Sequence, residues 1–441
     1  MSTCPSCPDA DPAFVAHRLT RKGVTRREIL KYSLAGAGLT ALGPWIGKIP
    51  LAKGAPLGNK IYVLINLDGG ADMLNAVIPA TVTPYFTRRP NIAVQNAFSL
   101  ALTGGPNSTK YRLHPEFDQV KTMWDAGDVA LVQRVGYPSE NLSHFESQDI
   151  YSYGVRNGFA GAGISQSGWI ARFASLYAPT PMGAVALGMG RPTSFVGGTS
   201  SPLQVGSLSG FKFNSDSGST GISNNDTLRK NTIKGILASA STAGTPGGVR
   251  DALDQAHQLS SQIQTAVSSY VPTATYQNRT ISNRLKDVAI LVQAGFETRV
   301  FYTGTGGFDT HSAQGAQTGA QAALFTQLDD AIGSFATDMK AMGQWENTVI
   351  CLFTEFGRRS YENGSVGTDH GAAYSMILVG GGVNGGAYGP DLVDADLNAE
   401  YPTYGVDFRD VHREVLNDHL LVNPTPVFPE TQPLNTVLGV A

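Results

Sequence analysis

Six short, almost uninterrupted apolar runs mark the chain, at residues 61–67 (IYVLINL), 129–135, 184–187, 300–302, 348–353 and 374–379. A strand that is apolar on both faces must be covered on both faces, as a central strand of a parallel sheet is. Helical patterns separate several of these runs. The clearest sets Leu324, Leu328, Ile332, Phe335 and Met339 on one face, with Asp329, Asp330 and Asp338 off it. Strand, helix, strand alternation predicts an α/β fold: a mostly parallel central sheet with helices on both faces. Residues 193–245 turn to Gly, Ser, Thr and Asn without periodicity, and 247–294 regain helical character with a break at 272–274. The stretch from about 193 to 294 therefore reads as an inserted loop and helical region over one end of the sheet.

The 441 residues are 41% hydrophobic and 15% charged, enough apolar material for one full α/β core over residues 55–441. The net charge of −3 conceals an asymmetry. Residues 1–54 hold eight Lys and Arg against three Asp and Glu, and the remainder holds 24 against 32, a net −8. An acidic body disfavours nucleic acid as a partner.

The basic start contains Arg26-Arg27 ahead of a modestly apolar, Gly- and Ala-rich run at 32–46, the form of a twin-arginine export signal. Small residues around Ala52 and Gly54 offer a cleavage site. An ordinary membrane anchor is the plainer alternative, but the run is shorter than the roughly 20 residues that span a bilayer. Export implies the twin-arginine translocon as a transient partner and a periplasmic or secreted location, with a membrane tether only if the signal stays uncleaved. Cys4 and Cys7 lie upstream of the signal, which leaves Cys351 alone in an expected strand. A single cysteine makes no intrachain disulfide and holds no iron–sulfur cluster.

Three polar clusters flank the apolar runs: Phe308-Asp309-Thr310-His311, Thr354-Glu355-Phe356-Gly357-Arg358-Arg359 and Thr368-Asp369-His370-Gly371. Ligand sites of open α/β sheets lie at strand C-termini, so the three are expected to converge. Asp309 and His311, two apart in an extended backbone, would point the same way and grip one cation, or form a polar turn. Imidazole with carboxylate suits zinc, manganese or iron. Glu355 is placed as a ligand or general base, or as a plain partner of Arg358 or Arg359. Either arginine could instead hold sulfate or phosphate oxygens. His370, in a glycine-flanked loop, is the stronger ligand candidate; His412 and His419 read as surface or packing residues of a helix. At the first strand, Asp68 and Asp72 in Asp68-Gly69-Gly70-Ala71-Asp72 are each a ligand or a helix cap. Ser143-His144-Phe145-Glu146 matches a Ser-x-x-Glu capping box. The same placement offers the Ser143 hydroxyl to an anionic ester at a helix N-terminus, with His144 and Gln148 on one face of that helix.

These motifs, together with Leu113-His114-Pro115 and Gly136-Tyr137-Pro138, resemble in kind and order a large bacterial family of unknown function that is exported by the twin-arginine route and is similar to the alkaline phosphatase and sulfatase superfamily. The superfamily resemblance implies an alkaline-phosphatase-like fold and a divalent-metal ester hydrolase, zinc ahead of manganese or calcium. It implies Asp68 or Asp72 as the first-strand ligand, with the family's own glycine-rich motif favouring Asp72, Ser143 as nucleophile, Asp309, His311 and His370 as one metal's ligands, with Asp369 beside them, and Glu355 as helping to hold the other. One departure stands out: well-studied phosphatases carry Asp-His where this chain has Glu355-Phe356, so an apolar ring replaces a nitrogen ligand. The Cys-x-Pro-x-Arg sequence of sulfatases is also missing near Ser143. The expected function is hydrolysis of phosphate or sulfate esters, small or polymer-linked, with His144 and Arg358 assisting Ser143. The alternative is a non-catalytic binding or assembly protein on the same fold.

Overall fold

The computed structural model describes residues 60–155, 167–190, 192–212 and 244–429, with helical positions at 232, 235 and 239. Arg26-Arg27, expected to form an export signal, and Cys4 and Cys7 lie outside the described residues. The chain divides into two compact units, residues 1–50 with 213–261, and residues 51–212 with 262–441. The second contains both sheets and every candidate site residue.

Its strands, in chain order, are β1 (Ile61–Asp68), β2 (Val77–Pro79), β3 (Leu100–Ala101), β4 (Tyr111–Leu113), β5 (Val129–Gly136) and β6 (Ala184–Leu187). They continue with β7 (Leu203–Val205), β8 (Val300–Gly306), β9 (Thr348–Phe353), β10 (Tyr374–Val379), β11 (Gly386–Tyr388) and β12 (Val406–Asp407). The helices used below are α1 (Asp118–Ala126), α2 (His144–Tyr153), α3 (Trp169–Tyr177), α4 (Gly244–Ser269), α5 (Thr280–Gln293), α6 (Ala320–Ala341) and α7 (Phe408–Glu414).

The large sheet runs β11-β5-β10-β9-β1-β8-β6-β7, with β12 also on β5, and β2-β4-β3 form a small second sheet. Among the described residues, only β10 runs against its neighbours; the other pairings in the large sheet are parallel. This is the expected mixed α/β architecture, and all six apolar runs are strands of it. The run expected at 300–302 extends to Gly306. Thr303 is fully buried and donates from Oγ1 to the Leu187 carbonyl at 3.0 Å, so a polar residue is absorbed inside the strand. β7 escaped notice because it is a three-residue edge strand in which only Val205 is buried.

Two acids expected off the apolar face of α6 are buried instead. Asp329 accepts from the Gln119 and Val120 amides at 2.8 and 2.9 Å, capping the first turn of α1 from a neighbouring helix. Asp338 accepts from the Thr273 and Ala274 amides at 2.8 and 3.0 Å and so fixes the break at 272–274. Only Asp330 is exposed. Within the stretch read as an insertion, α5 packs on β6, β8 and α6, so it is one of the helices that cover the sheet. His412 and His419 are packing residues and not surface ones. His412 lies in α7 stacked on Trp169 and bonded to the Tyr62 hydroxyl at 2.8 Å; His419 bonds the Ile61 carbonyl at 3.0 Å.

Register decides where the site falls. Asp68 at the end of β1 lies opposite Gly306 of β8, and Asn66 lies opposite Phe353 of β9. The carboxyl ends of β8, β1 and β9 therefore share one edge. The segment entering β10, with Asp369 and His370, and the segment leaving β5, with Ser143 and His144, reach the same edge because β10 alone is reversed.

Candidate metal centre

Two glycines bring the β1 and β8 loops together. Gly69 has φ of 116°, and a Cβ there would stand 2.6 Å from the Asp309 amide nitrogen; Gly70 has φ of 64°, and its Cβ would meet the Phe356 ring at 2.3 Å. No other residue fits either place. Beneath them lies Arg358, whose side chain is fully buried. Its Nε donates to the Gly70 carbonyl, Nη1 to Thr368 O at 2.7 Å, and Nη2 to the carbonyls of Gly69 and Phe308 and to Asp309 Oδ1 at 2.7 Å. Arg358 thus clamps three loops from below. This corrects its expected role as a grip on substrate, because its donors are taken by the protein. Arg359 pairs with Glu400 at 2.9 Å and bonds Tyr361.

Above this clamp, Asp309, His311 and His370 converge. His311 Nε2 is 3.0 Å from His370 Nε2 and 3.0 Å from Asp309 Oδ1, and His370 Nε2 is 3.3 Å from the same oxygen. The convergence was expected, but its cause differs. Residues 308–311 are not extended; Thr310 N bonds Phe308 O at 2.9 Å and His311 N bonds Asp309 O at 3.1 Å, so successive tight turns aim the two side chains.

Both rings turn one nitrogen outward to an oxygen. His311 Nδ1 lies 3.1 Å from Asp369 Oδ1 and His370 Nδ1 lies 2.8 Å from the Leu142 carbonyl, both of them acceptors. A proton on each Nδ1 suits these acceptors, and in that tautomer the Nε2 atoms turn toward each other and toward Asp309 as donors for a cation. Three donors separated by 3.0–3.3 Å match the edges of a tetrahedral zinc site, about 3.3 Å for zinc–nitrogen bonds of about 2.05 Å. The donor set fits a divalent metal.

Charge agrees with that fit. Desolvation opposes the charged form of Asp309, but the Arg358 hydrogen bond and charge outweigh it and hold the carboxyl below its usual range. Desolvation also lowers His370, which keeps its imidazole neutral and able to coordinate. Asp369 is held low first by the hydrogen bond from Asn363 at 3.0 Å; it stands behind His311, orienting the ring.

Asp68 ends β1 and Glu355 follows β9. Gln148 Nε2 donates to Asp68 Oδ1 at 2.5 Å, and desolvation followed by the charge of Glu355 raises the Asp68 carboxyl. Glu355, 1% exposed, accepts from the Gly69 amide at 3.0 Å and from Thr354 Oγ1 at 3.1 Å, and lies 2.7 Å from His144 Nδ1. Asp72 is elsewhere: fully buried, it pairs with Arg89 at 2.7 Å and accepts from Gln314 at 2.7 Å. It is a structural ion pair and not part of the pocket.

Ser143 is the N-cap of α2, as expected, but its side chain makes no capping bond and the residue is exposed. The capping box does not form. Asn141 instead accepts the Ser143 amide at 2.8 Å, and the Tyr137 hydroxyl holds both Asn141 and Ser147. This loop also delivers the Leu142 carbonyl to His370. The ring of Phe356, 2% exposed, tilts against His144 at 4.9 Å and His370 at 4.6 Å between centroids.

Sequence reasoning missed Gln314. Fully buried, it accepts from Thr310 Oγ1 at 2.9 Å and Thr368 Oγ1 at 2.7 Å while donating to Asp72. It thus ties the loop of Asp309 and His311 to that of Asp369 and His370, a role that its local sequence does not signal.

Residues 189–434 match a family model described as a protein of unknown function, DUF1501. No curated protein matches the chain. Among solved structures, the chain is similar to a protein in the alkaline phosphatase superfamily from Vibrio parahaemolyticus, at 11% identity over 90% of this chain and 78% of that one, with a TM-score of 0.33. It is also similar to alkaline phosphatase from the Antarctic bacterium TAB5, at 10% identity over 86% and 100%, TM-score 0.28. A third is the phosphonate monoester hydrolase of Agrobacterium radiobacter, at 9% identity over 77% and 72%, TM-score 0.32.

Proposed function

The chain belongs to the DUF1501 family of proteins of unknown function, and from that premise and its pocket we propose an exported, metal-dependent hydrolase of phosphate or sulfate esters. The observation that carries this reading is the meeting of two imidazole Nε2 atoms and a carboxylate oxygen within 3.0–3.3 Å of one another. Imidazole nitrogens and a carboxylate at these spacings are the donor types and distances of a divalent-metal site. Asp68, Asp309, Glu355 and Asp369 also crowd one edge of the sheet, and such a pocket repels an anionic ester until cations neutralise it. When bound, a divalent metal supplies Lewis-acid polarisation of the ester oxygen and a lowered pKa for the attacking hydroxyl or water. Ser143 suits that attack: its hydroxyl is exposed, free of the capping bond, and at the positive end of α2.

The test is turnover of 4-nitrophenyl phosphate and 4-nitrophenyl sulfate by chelator-stripped protein, before and after addition of zinc, manganese or calcium. Metal-restored hydrolysis of either ester supports the reading. Bound metal with no turnover of these or other phosphate and sulfate esters rejects it in favour of a non-catalytic binding protein, a reading that the buried apolar ring of Phe356 inside the pocket favours. Export is tested by Arg26→Lys with Arg27→Lys, which should retain the protein in the cytoplasm; unchanged export rejects the twin-arginine route.

A further inference from the structure

The third imidazole of the pocket, His144, repeats the pattern of the other two. Its Nδ1 lies 2.7 Å from Glu355 Oε1, an acceptor that suits an Nδ1 proton, and its Nε2 faces inward, 3.6 Å from Asp309 Oδ2. One donor atom each from His144, Asp309 and His370 lie within 4.8 Å of one another. The ring is held edge-on against His370 at 4.5 Å and tilted against Phe356 at 4.9 Å, so its direction is set by packing as well as by hydrogen bonding.

We propose that His144 is a metal ligand through Nε2, and that Glu355 acts on the metal through His144 as the carboxylate fixing its tautomer and direction. The proposal rests on the metal-dependent reading above and adds to it a ligand that no comparison assigns. Glu355 is suited to the supporting part: its oxygens are engaged by the Gly69 amide, the Thr354 hydroxyl and the His144 ring. The residue after Glu355 is an apolar ring beside Gly70 that offers no donor, and the first turn of α2 sets the His144 ring against it at 4.9 Å between centroids. His144 and Glu355 then form a carboxylate–histidine–metal relay parallel to that of Asp369 and His311.

A double-mutant cycle tests this on the full chain, stripped with a chelator and titrated with zinc and cobalt. His144→Ala should weaken binding more than tenfold. Glu355→Gln should weaken it about 10- to 100-fold in the wild-type background and have almost no further effect in the His144→Ala background. Thermal unfolding of the metal-free variants checks that each is folded. X-ray absorption of the zinc-loaded wild type, which needs no variant, should count three imidazoles. Equal losses from Glu355→Gln in both backgrounds, an unchanged Kd in His144→Ala, or a count of two imidazoles would overturn the proposal and leave the metal-dependent reading standing. A wild type that binds neither zinc nor cobalt would overturn both.

Discussion

His311 and His370 face each other with their Nε2 atoms 3.0 Å apart, while each Nδ1 is turned outward to an oxygen, on Asp369 for one ring and Leu142 for the other. The outer oxygens favour a proton on each Nδ1, and the two Nε2 atoms then stand as a pair of nitrogen donors toward the same space. The two loops that hold these rings are joined by Gln314, which bonds Thr310 and Thr368, and by the Thr368 amide, which bonds the Thr310 carbonyl at 3.1 Å.

Gln314→Leu should separate those loops. With two buried hydroxyls and the Asp72 carboxylate losing a partner, a stability loss of about 1–3 kcal/mol is expected in urea unfolding. Zinc affinity should fall about tenfold as the ligand loops loosen. Unchanged zinc affinity in a folded variant would show that the loops are held by other means.

Arg358→Met removes a buried cation that contacts four carbonyls and Asp309, and should cost about 3–5 kcal/mol in urea unfolding. Arg359→Ala, whose ion pair is at the surface, should stay within about 0.5 kcal/mol of the wild type. Equal effects from the two would contradict the clamp assigned to Arg358.

Ser143→Ala separates catalysis from capping. Because the hydroxyl makes no capping bond, stability should change by less than about 0.5 kcal/mol, against the roughly 1 kcal/mol typical of a capping serine. Metal content should be retained while ester turnover falls at least a hundredfold. Full turnover would assign the attack to water.

Most of the fold was legible because its signal is additive along the chain. Each central strand is an apolar run, and a run covered on both faces can belong to little else than a parallel sheet. The site was legible in part. Asp309, His311 and His370 are marked by residue type and by position at strand ends, and they converge. Arg358 and Asp72 were misplaced because a charged side chain looks the same in sequence whether it faces a ligand or closes a buried network. What separates them is burial and partners contributed by residues hundreds of positions away, such as Gly70 for Arg358 and Gln314 for Asp72. Asp329 and Asp338 teach the same lesson, since their partners are amides of other segments that a helical wheel cannot show.

Acid should destabilise the fold through two buried histidines. Burial pushes His412 down to about 3 and His419 down to about 4. Both folded-state values lie below the roughly 6.5 of the unfolded chain, so the unfolded state takes up more protons in between. Their stabilisation is complete above about pH 6.5 and declines as pH falls toward 4, by up to about 1.4 kcal/mol per pH unit for each group. Urea midpoints between pH 7.5 and 4.5 should show this slope, and His412→Phe should flatten it. A variant with an undiminished slope would contradict the assignment for His412.

The central claim is that one edge of the sheet is built to hold a divalent cation, and elemental analysis of the purified full chain tests it most directly. At least one zinc, manganese or calcium ion per chain is expected, lost in both His311→Ala and His370→Ala with the fold intact. Metal-free protein that takes up none of these ions on titration, or full metal content in both variants, would contradict the account.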